Sequence, residues 1–316
     1  MKILVTGGAG FIGSNVVDAY IEEGHEVVVV DNLYSGKREN LNPEAKFYLM
    51  DIRSEELHKM LEYERPDVIN HHAAQISVPA SVEDPLFDAS VNVSGFINLL
   101  EGAKDVGTKR IIFISSGGAI YGEAEEYPTS EEYPPQPLSP YAIAKAVSED
   151  YLAFYNHQYG LEYVVLRYAN IYGPRQIPHG EAGVVAIFMD RLLKGQACTL
   201  FHFEDEPAGM IRDYCYVGDV VEANKLALNC RPNDAFNIGT NVETRTLKLF
   251  ETIFDVMADK LNLDPKLRSP DRQAARPGDL TKSCLRIDKA AKGLGWKPET
   301  DLKTGIEKTL EWRIRV

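Results

Sequence analysis

A tyrosine and a lysine stand four residues apart in the segment SPYAIAKAVSEDY, residues 139–151. Pro140 suits the first position of a helix, and on that helix Tyr141 and Lys145 would project from one face. An ammonium next to a phenol favours the phenolate and lowers the phenol pKa from its usual value of about 10. Such a tyrosine can serve as a general base toward a substrate hydroxyl. Alone, the spacing more often reflects surface packing, so the prediction depends on the motifs around it.

Two serines follow a run of β-branched and aromatic residues, RIIFI at 110–114, and open the sequence SSGGAIYG. The pattern predicts a strand that ends in Ser115 and Ser116, with Gly117 and Gly118 letting the backbone come close to a ligand. Either hydroxyl is a candidate to share a substrate proton with the tyrosine. The simpler interpretation is that both serines only terminate the strand, and the residue pattern alone does not choose a serine.

A glycine-rich loop lies near the start of the chain, where TGGAGFIGSN directly follows the strand-like run KILVT. Gly7, Gly10 and Gly13 have the spacing that lets a backbone approach a pyrophosphate and lets a helix pack on a strand. The helix that follows would direct its N-terminus at the phosphates. The sequence therefore predicts a dinucleotide site, to which Phe11 and Ile12 at the start of that helix contribute.

A carboxylate ends the second strand-like run, EVVVVD, at Asp31, which is 18 residues after Gly13. At this place a carboxylate accepts hydrogen bonds from both ribose hydroxyls and repels a 2′-phosphate, which favours NAD over NADP. Lys37 and Arg38 stand close enough to leave NADP open as an alternative. A tyrosine base beside NAD predicts that hydride leaves the carbon whose hydroxyl is deprotonated.

These motifs need a scaffold that brings strand ends and helix starts together. Over the first 170 residues, short apolar runs alternate with an amphipathic stretch that ends at Glu23 and with helical patterns near 84–104 and 140–158. Continuous apolar strands alternating with helices indicate an α/β fold with a Rossmann-type, doubly wound parallel sheet. The predicted strands are 2–6, 26–30, 47–49, 67–70, 110–114 and 163–168.

The pattern changes after about residue 172, where proline and glycine become frequent and strand-like runs become short. We expect an NAD-binding Rossmann domain over 1–172 and a smaller C-terminal α/β substrate-binding lobe over 173–316, with segments near 213–240 returning to the large domain. The acidic, proline-rich segment 123–137 is expected to be a solvated surface loop. Further strands are predicted at 199–203 and 235–238, and helices near 181–194, 219–228, 246–260 and 303–313.

The composition bounds the function classes. The 316 residues carry a formal net charge of −13, and no cluster of cations is longer than Lys37–Arg38, which argues against a nucleic-acid partner. No apolar run of about 18 residues occurs, so we expect no membrane span, and the N-terminus is expected to be a strand and not a signal peptide. Four cysteines without close spacing argue against a metal site or a disulfide framework and favour a reducing cytoplasm.

Taken together, the ordered motifs resemble the extended short-chain dehydrogenase/reductase family and, within it, the 4-epimerases of UDP-glucose and UDP-galactose. The resemblance covers nearly the whole chain, so it is specific for the family. It includes TGGAGFIG, DNLYSG (31–36), MDIR (50–53), HHAAQISV (71–78), GGAIYGE, SPYAIAK, LRYANIYGPRQ (166–176), GEAGVVAIF (180–188), IRDYCYVGDV (211–220), FNIGT (236–240) and ARPGD (275–279).

The resemblance implies an enzyme that keeps NAD bound, oxidises C4 of a UDP-sugar to a 4-keto intermediate and returns the hydride to the other face. Tyr141 is then the base, and Lys145 holds the tyrosinate and the nicotinamide ribose. Relatives with GGAIYG place the hydroxyl residue directly before the two glycines, which implies that Ser116 binds the sugar O4. Ser115 is then its more buried neighbour near the nicotinamide. The family usually forms a homodimer through two helices per subunit, here those near 84–104 and 140–158.

The same resemblance assigns the remaining contacts. Around the cofactor it implies Gly7, Gly10, Phe11, Ile12, Gly13, Asp31, Asn32, Ser35 and Gly36, then Asp51 and Ile52 at the adenine, Ala73, Ala74 and Gln75 at the middle, Asn92 as support, and Tyr168 near the nicotinamide. Around the UDP-sugar it implies Gln75, Gly117, Gly118, Asn170, the backbone of Gly183, Val184 and Val185, Arg212 and Arg276 on the diphosphate, Asp279 on the uridine ribose, and Ser283 beside C2 of the sugar. No metal ligand is expected.

Two positions depart from what is common in the family. His72 stands where many relatives have an apolar residue, and it receives no role here. At the position of Ser283 a tyrosine excludes N-acetylated sugars, and serine is small. We therefore expect that UDP-GlcNAc and UDP-GalNAc are also tolerated. The acidic segment 201–210 is expected to be solvated and to shape the nucleotide lid.

Three other classes of protein fit these residues less well. A 4,6-dehydratase needs an Asp-Glu pair where Gly118 and Ala119 stand, which argues against dehydration. A UDP-glucuronate 4-epimerase or decarboxylase needs a cation for the C6 carboxylate, and no clear extra one is seen, but this class stays open. A non-catalytic NAD sensor would be marked by loss of the tyrosine or the lysine, and both are present.

Overall fold

The computed structural model describes residues 1–178, 183–276 and 279–315. Within these residues, no helix is both long enough and apolar enough to cross a bilayer. The strands are β1 (Lys2–Thr6), β2 (Glu26–Asp31), β3 (Lys46–Leu49), β4 (Val68–His71), β5 (Arg110–Ser116), β6 (Glu162–Tyr168), β7 (Asn170–Tyr172), β8 (Thr199–His202), β9 (Ile211–Arg212), β10 (Tyr214–Tyr216), β11 (Asp234–Ile238), β12 (Thr244–Arg245) and β13 (Asp271–Ala274). The helices are α1 (Phe11–Glu22), α2 (Glu56–Glu64), α3 (Val78–Glu83), α4 (Pro85–Ala89), α5 (Gly95–Val106), α6 (Pro140–Tyr159), α7 (Val184–Leu193), α8 (Val217–Ala227), α9 (Thr246–Lys260), α10 (Asp288–Gly293) and α11 (Leu302–Arg313).

Seven strands form one sheet in the order β11-β6-β5-β4-β1-β2-β3, and every neighbouring pair is parallel. The chain runs outward from β1 to β3, then crosses to β4 on the other side of β1. This arrangement confirms the predicted doubly wound α/β fold. The order of the strands reverses between β1 and β4, and at such a place the loops that follow the strands part and leave a crevice.

The sheet is buried on both faces, which explains why its strands are continuous apolar runs. Along β1, Ile3 and Val5 belong to one core with residues of α1 and α8, while Leu4 belongs to a second core with residues of α2, α5 and α6. Side chains alternate between the faces of a strand, so one short run supplies both cores. The two layers of helices fix where each strand ends, and the strand ends carry the site described below.

A third apolar core lies in the second half of the chain, between α7, α9 and α11, and includes Tyr172, Phe188 and Phe250. Short strand pairs surround it: β7 with β10, β9 with β12, and β8 with β13. Strand β11 pairs with β6 and so extends the large sheet. The predicted division of the chain at residue 172 remains a prediction.

The acidic segment 123–137 is less simple than the predicted solvated loop. Thr129 is buried, its amide donates to the carbonyl of Cys284, and its carbonyl accepts from the amide of Arg286. The Glu131 carboxylate accepts from the amide of Asn237 at 2.7 Å. The segment therefore joins the β5 side of the molecule to residues near 237 and 285. The acidic composition of the segment gave no indication that a few of its residues are anchored to the rest of the protein.

Most of the longer elements agree with the sequence patterns, and most of the elements without a prediction are short. The helical pattern near 84–104 becomes α4, one π-helical turn at Ser90–Ser94, and α5. Three helices, α2, α3 and α10, and five strands, β7, β9, β10, β12 and β13, had no prediction, whereas β8 agrees with the strand predicted at 199–203. Two- and three-residue strands depend on partners that are distant in sequence, so a local pattern does not reveal them.

Candidate active site

A cavity of about 490 Å³ opens at the carboxyl edge of the sheet, where the strand order reverses. Most of the predicted site residues lie on its wall. These are Gly7, Gly10, Phe11, Ile12, Gly13, Asp31, Asn32, Ser35, Asp51, Ile52, Ala73, Ala74, Gln75, Ser115, Ser116, Tyr141, Lys145, Tyr168, Asn170, Gly183, Val184 and Val185. Eight others are not on it: Gly36, Asn92, Gly117, Gly118, Arg212, Arg276, Asp279 and Ser283.

The glycine loop forms a tight cradle at one end of the cavity. Gly7 has a φ of +70°, and a Cβ there would lie 2.6 Å from the amide nitrogen of Ala73. A Cβ on Gly13 would overlap the carbonyl of Gly7. Helix α1 begins without a side-chain cap at Gly10, so its first amides are free of a capping partner and can bind an anion.

Asp31 ends β2 beside this loop, with its carboxylate held in place by backbone donors. It accepts from the amide of Ala9 at 3.0 Å and from the amide of Leu33 at 2.7 Å. Burial raises its pKa above the usual range, and the two amide donors oppose that rise. Gly36 packs on it, because a Cβ there would lie 2.9 Å from both carboxylate oxygens. Gly36 therefore shapes the site from behind the cavity wall.

Asp51 continues this wall next to Ile52. Its carboxylate accepts from the side-chain amide of Asn32 at 2.9 Å and forms an ion pair with Arg53 at 2.8 Å. The Arg53 guanidinium keeps the Asp51 pKa well below its usual range, so this carboxylate is ionised. Assignment of Asp51 and Ile52 to the adenine remains a prediction.

Asn92 acts on the cavity through Gln75. Its side-chain oxygen accepts from the backbone amide of Gln75, and its side-chain amide donates to the backbone carbonyl of the same residue, both at 2.9 Å. The π-helical turn that contains Asn92 presents it to this segment, and such turns are common at functional sites. The buried carboxylate of Asp88 binds both side chains, at 2.8 Å from Gln75 and 3.0 Å from Asn92.

The candidate base lies where β5 and α6 meet. Tyr141 is hydrogen-bonded to the hydroxyl of Ser116, and the Lys145 ammonium donates to the carbonyl of Ile114 at 2.8 Å. The Lys145 nitrogen lies 5.9 Å from the centre of the Tyr141 ring. The residue pair that the sequence singled out is thus placed beside one serine at a strand end.

The charge state of the tyrosine differs from the simple expectation of a lowered pKa. Burial raises the pKa of Tyr141 to about 12; the bond from Ser116 opposes this rise and the Asp88 carboxylate adds to it. Burial also lowers the pKa of Lys145 to about 8, opposed by the carboxylates of Asp88 and Glu149. Desolvation is the largest influence on the pKa of this phenol.

The two serines at the end of β5 have different partners. Ser115 is buried, and its hydroxyl donates to the Glu149 carboxylate at 2.6 Å, while Ser116 binds Tyr141. A hydroxyl engaged by a carboxylate is poorly placed to serve a substrate oxygen. The geometry therefore favours Ser116 as the hydroxyl that meets the substrate.

The two glycines after these serines have different reasons to be glycine. A Cβ on Gly117 would lie 3.0 Å or less from the side chain of Leu285, so packing excludes a side chain there. A Cβ on Gly118 would meet only the side-chain oxygens of Asn170 at 3.7 Å and Ser283 at 4.0 Å. The prediction that both glycines make room for a ligand thus fits Gly118 and not Gly117.

Tyr168 is the last residue of β6, and Asn170 is the first residue of β7. The Tyr168 hydroxyl accepts from the side chain of Asn224 at 2.6 Å, which fixes the ring against the cavity. The side-chain oxygen of Asn170 is buried and has no hydrogen-bond partner, although the residue lies on the cavity wall. A buried polar atom without a partner indicates that a ligand supplies one.

The two predicted phosphate-binding arginines lie together beyond this cavity. Arg212 donates to the backbone carbonyls of Ile211 and Leu280, at 2.9 and 2.7 Å. Arg276 lies 4.2 Å from the centre of the Phe201 ring, and its Nε is 3.6 Å from the Asp279 carboxylate. Residues 180–182 and 277–278, which belong to two of the predicted motifs, lie outside the described residues.

Sequence reasoning gave no role to two other residues of the wall, His72 and Gln176. The Nε2 atom of His72 and the side-chain oxygen of Gln176 are buried without hydrogen-bond partners. Burial lowers the pKa of His72 to about 3, so the imidazole is neutral. With Asn170 they supply three unpartnered polar atoms, which together with the glycine cradle fit a polar, phosphate-containing ligand such as NAD. The position of His72 directly after β4 was the available sequence signal.

A parallel doubly wound sheet, a glycine cradle at its crevice, and a tyrosine and lysine at the next strand end define a dinucleotide-dependent enzyme of the Rossmann class. Within the described residues, no group of three or more histidines, cysteines or carboxylates has a geometry suited to a metal ion. The chain belongs to the NAD dependent epimerase/dehydratase family, whose profile matches residues 3–239. The expected resemblance and NAD dependence are thereby confirmed.

Three individual proteins are similar over nearly their whole length. A UDP-glucose 4-epimerase of Mycolicibacterium smegmatis is 43% identical over 99% of this chain and 98% of its own. The crystal structure of a UDP-glucose 4-epimerase from Thermotoga maritima with UDP-glucose is 47% identical, with a TM-score of 0.94 over 100% of this chain and 99% of the other. That of a Thermus thermophilus UDP-glucose 4-epimerase with NAD is 44% identical, with a TM-score of 0.90 over 99% and 98%.

The two serines can be separated by single substitutions. We expect Ser116→Ala to lower kcat for epimerisation by roughly 100-fold, a usual size for a positioned proton-transfer group. Ser115→Ala should lower kcat by less than about tenfold, because its hydroxyl is directed to Glu149. Steady-state rates with matched circular-dichroism spectra test this, and a larger loss in Ser115→Ala would reverse the assignment.

Proposed function

We propose that this protein interconverts UDP-glucose and UDP-galactose through a 4-keto sugar, with NAD retained throughout. One observation carries the proposal: Ser116, Tyr141 and Lys145 meet on the wall of the same cavity that holds the glycine cradle. The three relatives described above support this choice of substrate. Each is named a UDP-glucose 4-epimerase and is similar to this chain over nearly its whole length.

The cofactor would be held by the glycine loop, by Asp31 at the adenosine ribose and by the segment of Gln75 that Asn92 fixes. When bound, NAD supplies the hydride acceptor and donor, and its positive nicotinamide ring favours the phenolate of Tyr141. Lys145 adds a second positive charge close by, which the carboxylates of Asp88 and Glu149 help to keep protonated.

Tyr141 takes the proton of the sugar O4 as C4 is oxidised and returns it when C4 is reduced. Ser116 is bonded to the same phenol oxygen, so it can bind O4 and pass the proton along a short path. After the 4-keto sugar rotates, the same two groups act on the opposite face of the sugar. The open space in front of Gly118 is where the sugar would turn.

The nucleotide half of the substrate would lie toward the second lobe, in residues 173–316. Gly183 precedes α7 with a φ of +86° and presents its backbone to the cavity. Arg212 and Arg276 lie near Asp279, and guanidinium forks suit phosphate oxygens. In this proposal the arginines bind the diphosphate and Asp279 binds the uridine ribose.

Tyr141→Phe removes only the phenol oxygen, so the protein should fold and retain NAD but lose nearly all conversion of UDP-galactose to UDP-glucose. Tyr151→Phe is the matched control on the same helix, and its ring packs in the core beside α6. It should keep kcat within about twofold. Coupled assay of UDP-glucose formation is the measurement. Substantial turnover by Tyr141→Phe contradicts the assigned base, and an inactive wild-type protein contradicts the function.

A second substrate class is favoured by Ser283, which is buried and faces Gly118 across the proposed sugar space. We expect the wild-type protein to convert UDP-GlcNAc to UDP-GalNAc as well. Ser283→Tyr should lower that rate at least tenfold while UDP-glucose conversion stays within about threefold, because the ring fills the space of the acetamido group. Wild-type turnover of UDP-glucose without detectable UDP-GlcNAc turnover would contradict this.

A homodimer through α4, α5 and α6 is part of the proposal. Large apolar side chains are exposed on these helices, including Leu86, Ile143 and Phe154 at 82%, 49% and 49%. Ile143 and Phe154 are three helical turns apart on α6 and so share a face. A homodimer would cover this surface around a two-fold axis.

We expect Phe154→Lys to shift the mass measured by light scattering from dimer to monomer, because it buries a charge in the proposed interface. Tyr63→Lys is the control, since Tyr63 is also aromatic and is 75% exposed on α2, a helix outside the proposed interface. A monomeric wild-type protein would exclude the dimer.

A cytoplasmic location also belongs to the proposal. It is supported by the four free thiols, because a reducing compartment keeps cysteines unpaired, and cell fractionation tests it.

A further inference from the structure

Glu149 is a largely buried carboxylate on α6, and none of the roles above explains its ion pair with Arg167. We propose that Glu149, with Arg167, is a positioning residue that locks α6 to the ends of β5 and β6 and thereby sets the geometry of Ser116, Tyr141 and Lys145. This inference rests on the proposed function of the same site.

Glu149 belongs to the catalytic face of α6. Tyr141, Lys145 and Glu149 are spaced four residues apart, so they lie on one side of the helix. They contact three consecutive residues of β5: Tyr141 binds Ser116, Lys145 donates to the carbonyl of Ile114, and Glu149 accepts from the hydroxyl between them. Glu149 thus completes a ladder of three helix-to-strand contacts, of which the other two are the catalytic ones.

Arg167 connects the same carboxylate to β6. Its Nε donates to both carboxylate oxygens of Glu149, at 3.1 and 3.2 Å, and a terminal nitrogen donates at 2.6 Å. This forked contact fixes an angle as well as a distance. The side chains are 9% exposed for Arg167 and 13% for Glu149, so solvent screens the pair little.

The residues that Glu149 tethers are direct neighbours of the site. Ser115 pairs in register with Arg167, and the next residues along the two strands are Ser116 and Tyr168. A shift of either strand end relative to α6 would therefore move a residue of the cavity wall. Misplacement by about 1 Å can cost on the order of 100-fold in rate, which makes such a tether consequential for catalysis.

The contacts of Arg167 continue toward the second lobe. A second terminal nitrogen donates to the hydroxyl of Tyr121 at 2.8 Å, and that hydroxyl donates to the side-chain oxygen of Asn237 at 2.8 Å. The side-chain amide of Asn237 donates to the carbonyls of Thr129 and Arg286. The tyrosine of SSGGAIYG thereby acquires a role, since it links the catalytic strand ends to the segments that border the proposed sugar site.

A buried ion pair is weak evidence for a gain in stability, because desolvation offsets much of the attraction. The chain offers a comparison at the opposite ends of the same two strands, β5 and β6. There Arg110 and Glu162 pair in register and form an ion pair at 2.8 Å. Both pairs join β6 to its surroundings, but only the Glu149 pair reaches α6 and the catalytic strand ends.

The test compares Glu149→Gln with Glu162→Gln in the UDP-galactose assay, together with thermal melting. Glu149→Gln keeps the size of the side chain but gives Arg167 a neutral amide. We expect its kcat to fall roughly 30-fold or more with KM within about threefold. Glu162→Gln should keep kcat within about twofold, although it also breaks an ion pair and lowers the melting temperature.

Two further variants distinguish a positioning role from a folding defect. Arg167→Lys keeps the positive charge but loses the fork, and its kcat should fall at least fivefold. Ser115→Ala should add little to Glu149→Gln in the double variant, because the two act as one unit.

The inference is overturned if Glu149→Gln or Arg167→Lys keeps the wild-type kcat, if their loss appears in KM alone, or if Glu162→Gln loses as much kcat. Multiplying effects of Ser115→Ala and Glu149→Gln would also overturn it. In each of these cases the wild-type protein is active and the proposed function stands. An inactive wild-type protein refutes the proposed function itself.

Discussion

The site depends on the fit of one helix face to one strand end. Three side chains of α6 contact three consecutive residues of β5, through a carbonyl and two serine hydroxyls. The strand is central in the sheet, with β4 and β6 on either side, so its end cannot move independently. Helix α6 in turn packs through Leu152 and Tyr155 into one of the two sheet cores. The chemistry is thus positioned by apolar packing together with these polar contacts between the helix and the strand ends.

Electrostatics and packing act in opposite directions at this place. Burial raises the phenol pKa of Tyr141 to about 12 and lowers the ammonium pKa of Lys145 to about 8. Both shifts oppose the charged pair that a general base requires. Two kinds of contact oppose these pKa shifts: a hydroxyl donor at the phenol of Tyr141 and carboxylates near the ammonium of Lys145. In the proposed mechanism, the positive nicotinamide ring is the remaining charge that favours the phenolate, so bound NAD would help this tyrosine to act as the base.

The sequence allowed the main sheet, the glycine loop, Asp31 and the Tyr141–Lys145 pair to be predicted, because each is a local pattern with a known geometry. Glu149 and Arg167 were not found, because their significance lies in contacts between residues far apart in the chain. His72 received no role, because its burial on the cavity wall is not visible in the sequence. Glu149 and Ser115 are 34 residues apart, and Tyr121 and Asn237 are 116 apart. The pKa of Tyr141 was misjudged for a related reason: local spacing shows the ammonium but not the depth of burial.

The two glycines after the serines show how packing and function divide between neighbours. Leu285 occupies the space next to Gly117, so that position must lack a side chain for the second lobe to close against β5. Gly118 faces open space bounded by Asn170 and Ser283. A small side chain at Gly118 would be tolerated by the fold and would reduce only the room for the sugar. Gly118, and not its neighbour, is therefore the position that fits the proposed space in which the sugar rotates.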